Sequence, residues 1–336
     1  YYDQETLIAA FKQHWAGRHY NLQRLEDLHR HVLVGGRHLA LPLEAYERLQ
    51  SFTDSNRIYI ETARDLGARA LLDGLEIAGL DRRDIDHLFF VTTTGVATPS
   101  IDALLVNCLN LRTDVKRTPI FGLGCLAGAA GVARAADYLR AFPDQVAVLV
   151  SVELCSLTLQ REDLSIPNIV ASGLFGDGAA AAVLVGENKK AIGPRVVASR
   201  CFFYPDTEEV MGWNITNEGF GVVLSADVPK VVQEHIGTDV ERFLVENGLE
   251  KEQISSFVCH PGGPKVLEAF QDVLSLPEEA LALTWDSLRK VGNLSSASVL
   301  MVLRDAMDSA RPSEGSYGLM LAMGPGFCSE IVLLQW

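Results

Sequence analysis

The sequence contains no apolar run near the roughly 18 residues a membrane-spanning helix requires. Its opening, Tyr-Tyr-Asp-Gln-Glu-Thr, carries neither the basic nor the apolar region of a signal peptide. Basic residues are in deficit: 29 Lys plus Arg against 43 Asp plus Glu leave a net charge of −14. That balance excludes a general binder of nucleic acid or anionic membrane surfaces, although a local cluster of cations could still hold one small anionic ligand. Cysteine is sparse, six residues at 108, 125, 155, 201, 259 and 328 with no C-x-x-C pair, so a disulfide scaffold is excluded and a reducing, cytoplasmic setting is expected. No His spacing with Cys or carboxylates suggests a tetrahedral set, and no metal is expected. The phosphate-cradling G-x-x-x-x-G-K-S/T and the dinucleotide G-x-G-x-x-G are both missing. An initiator Met is missing too, so the chain is expected to begin downstream of the native start. What remains is 336 residues, 48% hydrophobic and 21% charged. That is ample for a sizeable core and for two domains or one large fused unit.

Apolar residues recur at three- and four-residue steps over 6–15 and 56–77, which predicts helices. Short apolar runs at 87–92, 146–152, 179–185, 257–259, 318–321 and 331–335 predict buried strands between helical stretches. Such alternation implies an α/β protein. The segment 186–200, with Glu-Asn-Lys-Lys and Gly-Pro, reads as the boundary between two parts. Internal repetition supports that division. Gly79-Leu80, Ile85 and the strand from Leu88 match Gly248-Leu249, Ile254 and the strand from Phe257 at an offset of 169 residues. The same offset lays the turn around Cys125 on the turn around Asn293. Gly176-Asp177-Gly178 and Gly324-Pro325-Gly326 match at a shorter offset of 148. Two duplicated halves, 1–186 and 187–336, are expected.

Cys125 sits in Gly122-Leu123-Gly124-Cys125-Leu126-Ala127-Gly128-Ala129-Ala130-Gly131, at an apparent passage from strand to helix. A thiol at a helix N-terminus meets unpaired N–H groups and the positive end of the helix dipole, both of which favour thiolate. By itself the segment reads as readily as a small buried cysteine filling space before a helix buried on all sides. His260 ends the matching strand of the second half, and Asn293 lies in the turn matching that of Cys125. Alone, one would be a structural histidine and the other a helix cap. A pseudo-twofold fold brings such loop ends together, and Cys, His and Asn suit nucleophilic acyl transfer: imidazolium pairs with thiolate, and two donors face a developing oxyanion.

Five motifs then fall in order: Gly124-Cys125 with its Ala-Gly continuation, Leu174-Phe175-Gly176-Asp177-Gly178-Ala179-Ala180, His260-Pro261-Gly262-Gly263-Pro264, Gly292-Asn293-Leu294-Ser295-Ser296-Ala297, and Gly324-Pro325-Gly326. At these residues, and from about Arg64 to the C-terminus, the chain resembles the type III polyketide synthases of the chalcone and stilbene synthase group. The resemblance implies a thiolase-like αβαβα layered fold, an obligate homodimer, acyl-CoA and malonyl-CoA as substrates without a tightly bound cofactor, and an active site at the end of a coenzyme A tunnel. It makes Cys125 the nucleophile and His260 with Asn293 the donor pair for the enolate of malonyl decarboxylation. Phe175 becomes a gatekeeper whose apolar ring disfavours the malonyl carboxylate's hydrated charge, and Asp177 looks structural.

Aligned through Asp227-Val228-Pro229, a second gatekeeper phenylalanine falls on Val222, and cavity positions fall on Thr93, Thr98, Cys155 and Trp213. Valine in place of an aromatic ring makes room for an alkyl chain, although Trp213 could narrow the site. A long aliphatic starter is therefore expected, in the manner of bacterial alkylpyrone and alkylresorcinol synthases, which the stretch from Tyr204 to Trp213 also resembles. The anionic CoA needs local cations. Arg30, His31, Arg37 and His38 lie where the family keeps a basic loop, with Gly35-Gly36 where lysine or arginine is common. Gly263 and Lys265 of the His260 loop are further candidates. A β-ketoacyl-ACP synthase III would use the same three residue types for one condensation, but typically continues its His with Gln-Ala-Asn. A lipid-binding scaffold with a dead site would need none of the three.

Overall fold

Two four-stranded sheets that share a three-strand order, each extended by one strand at a different edge, frame the protein. The computed structural model describes residues 1–18, 21–309 and 311–336. Strand β1 (Tyr2–Asp3) pairs with β2 (Gly36–Arg37) around helices α1 (Gln4–His14) and α2 (Leu22–His31). Helix α3 (Phe52–Ala78) starts on the Ser51 cap and stops at Gly79, whose φ of 65° breaks the helical path. Next come β3 (His87–Thr92), α4 (Ile101–Leu109), β4 (Lys116–Phe121), α5 (Ala127–Ala141), β5 (Val146–Leu154), α6 (Ile166–Leu174) and β6 (Asp177–Val185). The second half holds β7 (Arg195–Phe203), the hairpin β8 (Met211–Thr216) and β9 (Gly219–Leu224), α7 (Val228–Glu246), β10 (Ile254–Cys259) and α8 (Pro264–Leu274). It closes with α9 (Ala282–Val291), α10 (Ser298–Ser309), β11 (Tyr317–Gly324) and β12 (Cys328–Gln335).

The first sheet runs β4-β3-β5-β6 and the second β10-β11-β12-β7. In both, a parallel pair (β3 with β5, β10 with β11) is followed by an antiparallel strand (β6, β12). Strands β3 and β5 are buried at every position, as the largely apolar runs of a sheet covered on both faces must be. Between the sheets lie α5 and α10, and one apolar cluster joins them to residues of both sheets, from Phe89 and Leu149 to Met320 and Val332. Outer clusters pack α3 and α4 on the first sheet and α7 and α8 on the second. This is a thiolase-like αβαβα arrangement of five layers. The Ala and Gly residues of α5 let a central helix approach two sheets at once.

Segment 186–200 is not all linker: β7 already begins at Arg195 and pairs antiparallel with β12. Among the described residues no helix is long and apolar enough to cross a membrane, and no group of three or more His, Cys, Asp or Glu is placed to hold a metal ion.

Candidate active site

Cys125 occupies a buried 3-10 turn, Gly124–Leu126, between the end of β4 and the start of α5. The matching turn of the other half, Ser295–Ala297, precedes α10 and faces it. Cys125 donates from Sγ to Ser295 Oγ over 3.6 Å, and the Asn293 side chain lies beside the sulfur and favours its ionised form. The approach depends on Gly128, where a Cβ would come within 2.2 Å of the Ser296 carbonyl oxygen.

His260 directly follows β10, and its backbone N–H donates to Leu321 O at 2.8 Å, fixing it to β11. Two residues on, Gly262 O accepts a 3.4 Å bond from Asn293 Nδ2. Asn293 Oδ1 accepts from Ser295 N at 2.8 Å, so the carboxamide caps its own turn while its amide end lies between the His260 loop and the sulfur. Capping and a place at the site coexist. Both ring nitrogens of His260 are buried without a hydrogen-bond partner. Burial pushes this imidazole down to about 3 and, as the largest cause, pushes the Cys125 thiol up to about 12. The sequence leads one to expect thiolate and imidazolium; burial without a charged partner pushes both groups the other way, toward their neutral forms.

A carboxylate that sequence reasoning missed lies one layer deeper. Glu153, fully buried on β5, accepts from Thr93 N at 3.0 Å, from Thr94 Oγ1 at 2.9 Å and from Ser296 Oγ. Ser296 Oγ also meets Ser151 Oγ at 2.8 Å. Burial raises this carboxyl to about 7 despite those donors. The signal was present in Val146-Ala147-Val148-Leu149-Val150-Ser151-Val152-Glu153-Leu154, where one acid interrupts an apolar strand.

A cavity of about 610 Å³ opens beside these groups, with Cys155, Phe175, Trp213 and Val222 in its wall. Cys125, His260 and Asn293 lie outside its lining; Phe175 is a wall residue bridged directly to Asn293. Trp213 and Val222 are directly paired across the β8–β9 hairpin, and the indole N–H donates to Thr93 Oγ1 at 3.1 Å. The space released by valine is therefore shared with a tryptophan. Asp177 accepts from Ala40 N, Ser156 N and Ser156 Oγ, joining the chain near residue 40 to β6.

Three expected positions are placed differently from expectation. Thr93 and Thr98 are both outside the wall of this chain's cavity: Thr93 is buried and accepts from the Trp213 indole, and Thr98 is exposed in the loop before α4. Arg37 is only 2% exposed and cannot sit at a tunnel mouth: β2 carries its side chain inward, where Nη1 donates to the carbonyls of Ser172 and Phe175. Of the other cation candidates, Arg30 pairs with Glu5 and Glu26, while His31, His38 and Lys265 are exposed. Gly263 is buried at the start of α8, with φ +141°.

Residues 29–189 match the family profile described as chalcone and stilbene synthases, N-terminal domain, and residues 195–336 that of the C-terminal domain. The chain is 52% identical over 315 residues, 93% of its length and 83% of the other, to a 1,3,6,8-tetrahydroxynaphthalene synthase of Streptomyces peucetius subsp. caesius. It is 38% identical over 94% of its length and 90% of the other to a putative chalcone synthase of Bacillus subtilis (strain 168). The crystal structure of the 1,3,6,8-tetrahydroxynaphthalene synthase from Streptomyces coelicolor A3(2), a bacterial type III polyketide synthase, superposes with a TM-score of 0.95 at 30% identity. That superposition covers 100% of this chain and 95% of the other.

Proposed function

The chain belongs to the chalcone and stilbene synthase family of type III polyketide synthases, and from that premise we propose which residues and which starter its chemistry uses. It is an acyltransferase that performs iterative decarboxylative Claisen condensation with malonyl-CoA, working on CoA thioesters without a tightly bound cofactor. In our reading Cys125 Sγ attacks the starter thioester as His260 takes the thiol proton. The two charges form together, so each offsets the burial cost of the other. CoA then leaves as the thiol, carrying that proton. Malonyl-CoA loses carbon dioxide, its enolate oxygen accepting from Asn293 Nδ2 and His260. The enolate carbon forms the new bond to the Cys125-bound acyl carbonyl, and the Cys125 sulfur departs. The halves 1–186 and 187–336 each contribute to this site, and a homodimer belongs to the same reading.

For the starter, we favour malonyl-CoA itself and a polyhydroxylated aromatic product of the tetrahydroxynaphthalene kind over a long alkyl chain. The observation carrying this is the Trp213 indole, fixed to Thr93 across the space that Val222 leaves. The cavity wall also holds Tyr46, Asn168 and Arg161, groups that suit an oxygenated chain better than a hydrocarbon one. Mass spectrometry of products from malonyl-CoA alone, and with lauroyl- or palmitoyl-CoA added, tests it. An oxygenated aromatic from malonyl-CoA alone is expected; products that appear only with the long acyl-CoA would restore the alkylpyrone or alkylresorcinol reading.

A further inference from the structure

Arg37 is buried among backbone groups that lead straight to Asn293. Its Nη1 donates to Ser172 O at 2.6 Å and to Phe175 O at 2.8 Å, gripping the last turn of α6 and the residue after it. Phe175 forms an isolated parallel bridge with Asn293: Asn293 N donates to Leu174 O at 3.0 Å, and Gly176 N donates to Asn293 O at 2.9 Å. The stem of Arg37 packs on the same joint from the other strand. A Cβ on Gly292 would lie 3.1 Å from Arg37 Cγ, 3.2 Å from Cδ and 2.6 Å from Leu174 O. Arg37 therefore bonds one partner of the bridge, Phe175, and lies against Gly292, the residue that precedes the other partner, Asn293.

The remaining nitrogens, Nε and Nη2, are buried without partners, and among the described residues no ion pair neutralises the guanidinium; Asp177 acts on it only at longer range. Burying an under-satisfied cation is costly. A wedge needed for packing alone would be cheaper as methionine or leucine, so what the cation adds is its two charge-assisted bonds to carbonyls.

We propose that Arg37 is a positioning residue for Asn293. Its guanidinium fixes the Phe175 carbonyl, the bridge transmits that position to the Asn293 backbone, and the carboxamide is thereby held beside Cys125. This rests on the reading of Asn293 as a donor to the enolate. A small misplacement of such a donor lowers the rate without changing how substrate binds.

The test is a double-substitution cycle on malonyl-CoA decarboxylation by the full chain, using Arg37→Lys and Arg37→Met, each with and without Asn293→Ala. Folding is checked by circular dichroism. Either Arg37 change is expected to lower kcat about tenfold with KM for malonyl-CoA within about twofold. In the Asn293→Ala background the same change should alter kcat by less than about twofold, because the group it positions is gone. Additive losses would overturn the proposal alone, as would a raised KM with kcat unchanged, which would make Arg37 a substrate contact. So would failure of both Arg37 variants to fold, which would make it a residue of the fold only. If Asn293→Ala decarboxylates at the parent rate, the reading of Asn293 falls and takes the proposal with it.

Discussion

Cys125 and Ser295 lie 170 residues apart in sequence and 3.6 Å apart in space. The hydroxyl from the second half favours ionisation of a sulfur that burial holds as a thiol. Alkylation of Cys125 by iodoacetamide should accordingly keep rising into the alkaline range with no plateau near neutral pH, since thiolate is the nucleophile. Ser295→Ala should slow it severalfold. A plateau near neutrality would mean that the proton already resides on His260.

Cys125→Ala should yield no acyl-enzyme by intact-protein mass spectrometry under conditions where the parent shows an adduct. The other five cysteines include two that are exposed, Cys108 and Cys201, so peptide mapping must locate the adduct. An equal adduct on the variant would remove Cys125 from its role.

His260→Gln and Asn293→Ala should each lower malonyl-CoA decarboxylation on the order of a hundredfold, the usual loss for one donor at a developing oxyanion. KM should change little. A loss confined to KM would point to binding instead.

Glu153→Gln carries a signed pH prediction. Burial raises Glu153 from 4.5 to about 7, so between those values the folded protein keeps a proton that the unfolded chain releases. Its contribution to stability is therefore present at low pH and falls as pH rises through that window. Asp177, raised from 3.8 to about 6, has the same sign and would remain. Urea midpoints at about pH 5 and about pH 8 should converge in Glu153→Gln relative to the parent, with the variant gaining at the higher value. An unchanged slope would show Glu153 to be ionised throughout.

Gly128→Ala should destabilise by about 1–3 kcal/mol. The added carbon meets the Ser296 carbonyl, a backbone atom with little freedom to yield. Denaturant unfolding measures the loss, and condensation should fall with it because the turns bearing Cys125 and Ser295 are forced apart. A variant of parental stability would show that the two turns slide at little cost.

Much of this arrangement could be read from residues alone, and the failures have physical causes. Strand β3 was legible because its centre, Leu88 to Val91, is an apolar run buried on both faces. Matching β3 with β10, and the Cys125 turn with the Asn293 turn, was possible because both halves place small residues where the central helices start. Strand β4 was not legible: Lys116-Arg117-Thr118-Pro119-Ile120-Phe121 forms the sheet edge, where charge and proline are tolerated. The counterpart of β4 by the 169-residue offset is helix α9, so duplication could not supply it either. Arg37 was misjudged because a cation between glycines and a histidine reads as surface, whereas the carbonyls of Ser172 and Phe175 that bury it are some 135 residues away.

Trp213→Ala tests the starter assignment most directly. Removing the indole should enlarge the cavity and extend the range of acyl-CoA starters toward longer chains, read by product mass spectrometry over a panel of thioesters. An unaltered product range would show that the indole does not limit the space.

The β8–β9 hairpin hydrogen-bonds as a ribbon to itself and joins neither large sheet, yet it delivers both Trp213 and Val222. On the proposed starter assignment, product choice would be carried on a module separable from the scaffold beneath it. New chemistries should arise, in evolution or in the laboratory, by swapping this flap between relatives, while the glycine- and alanine-rich interior tolerates almost no revision.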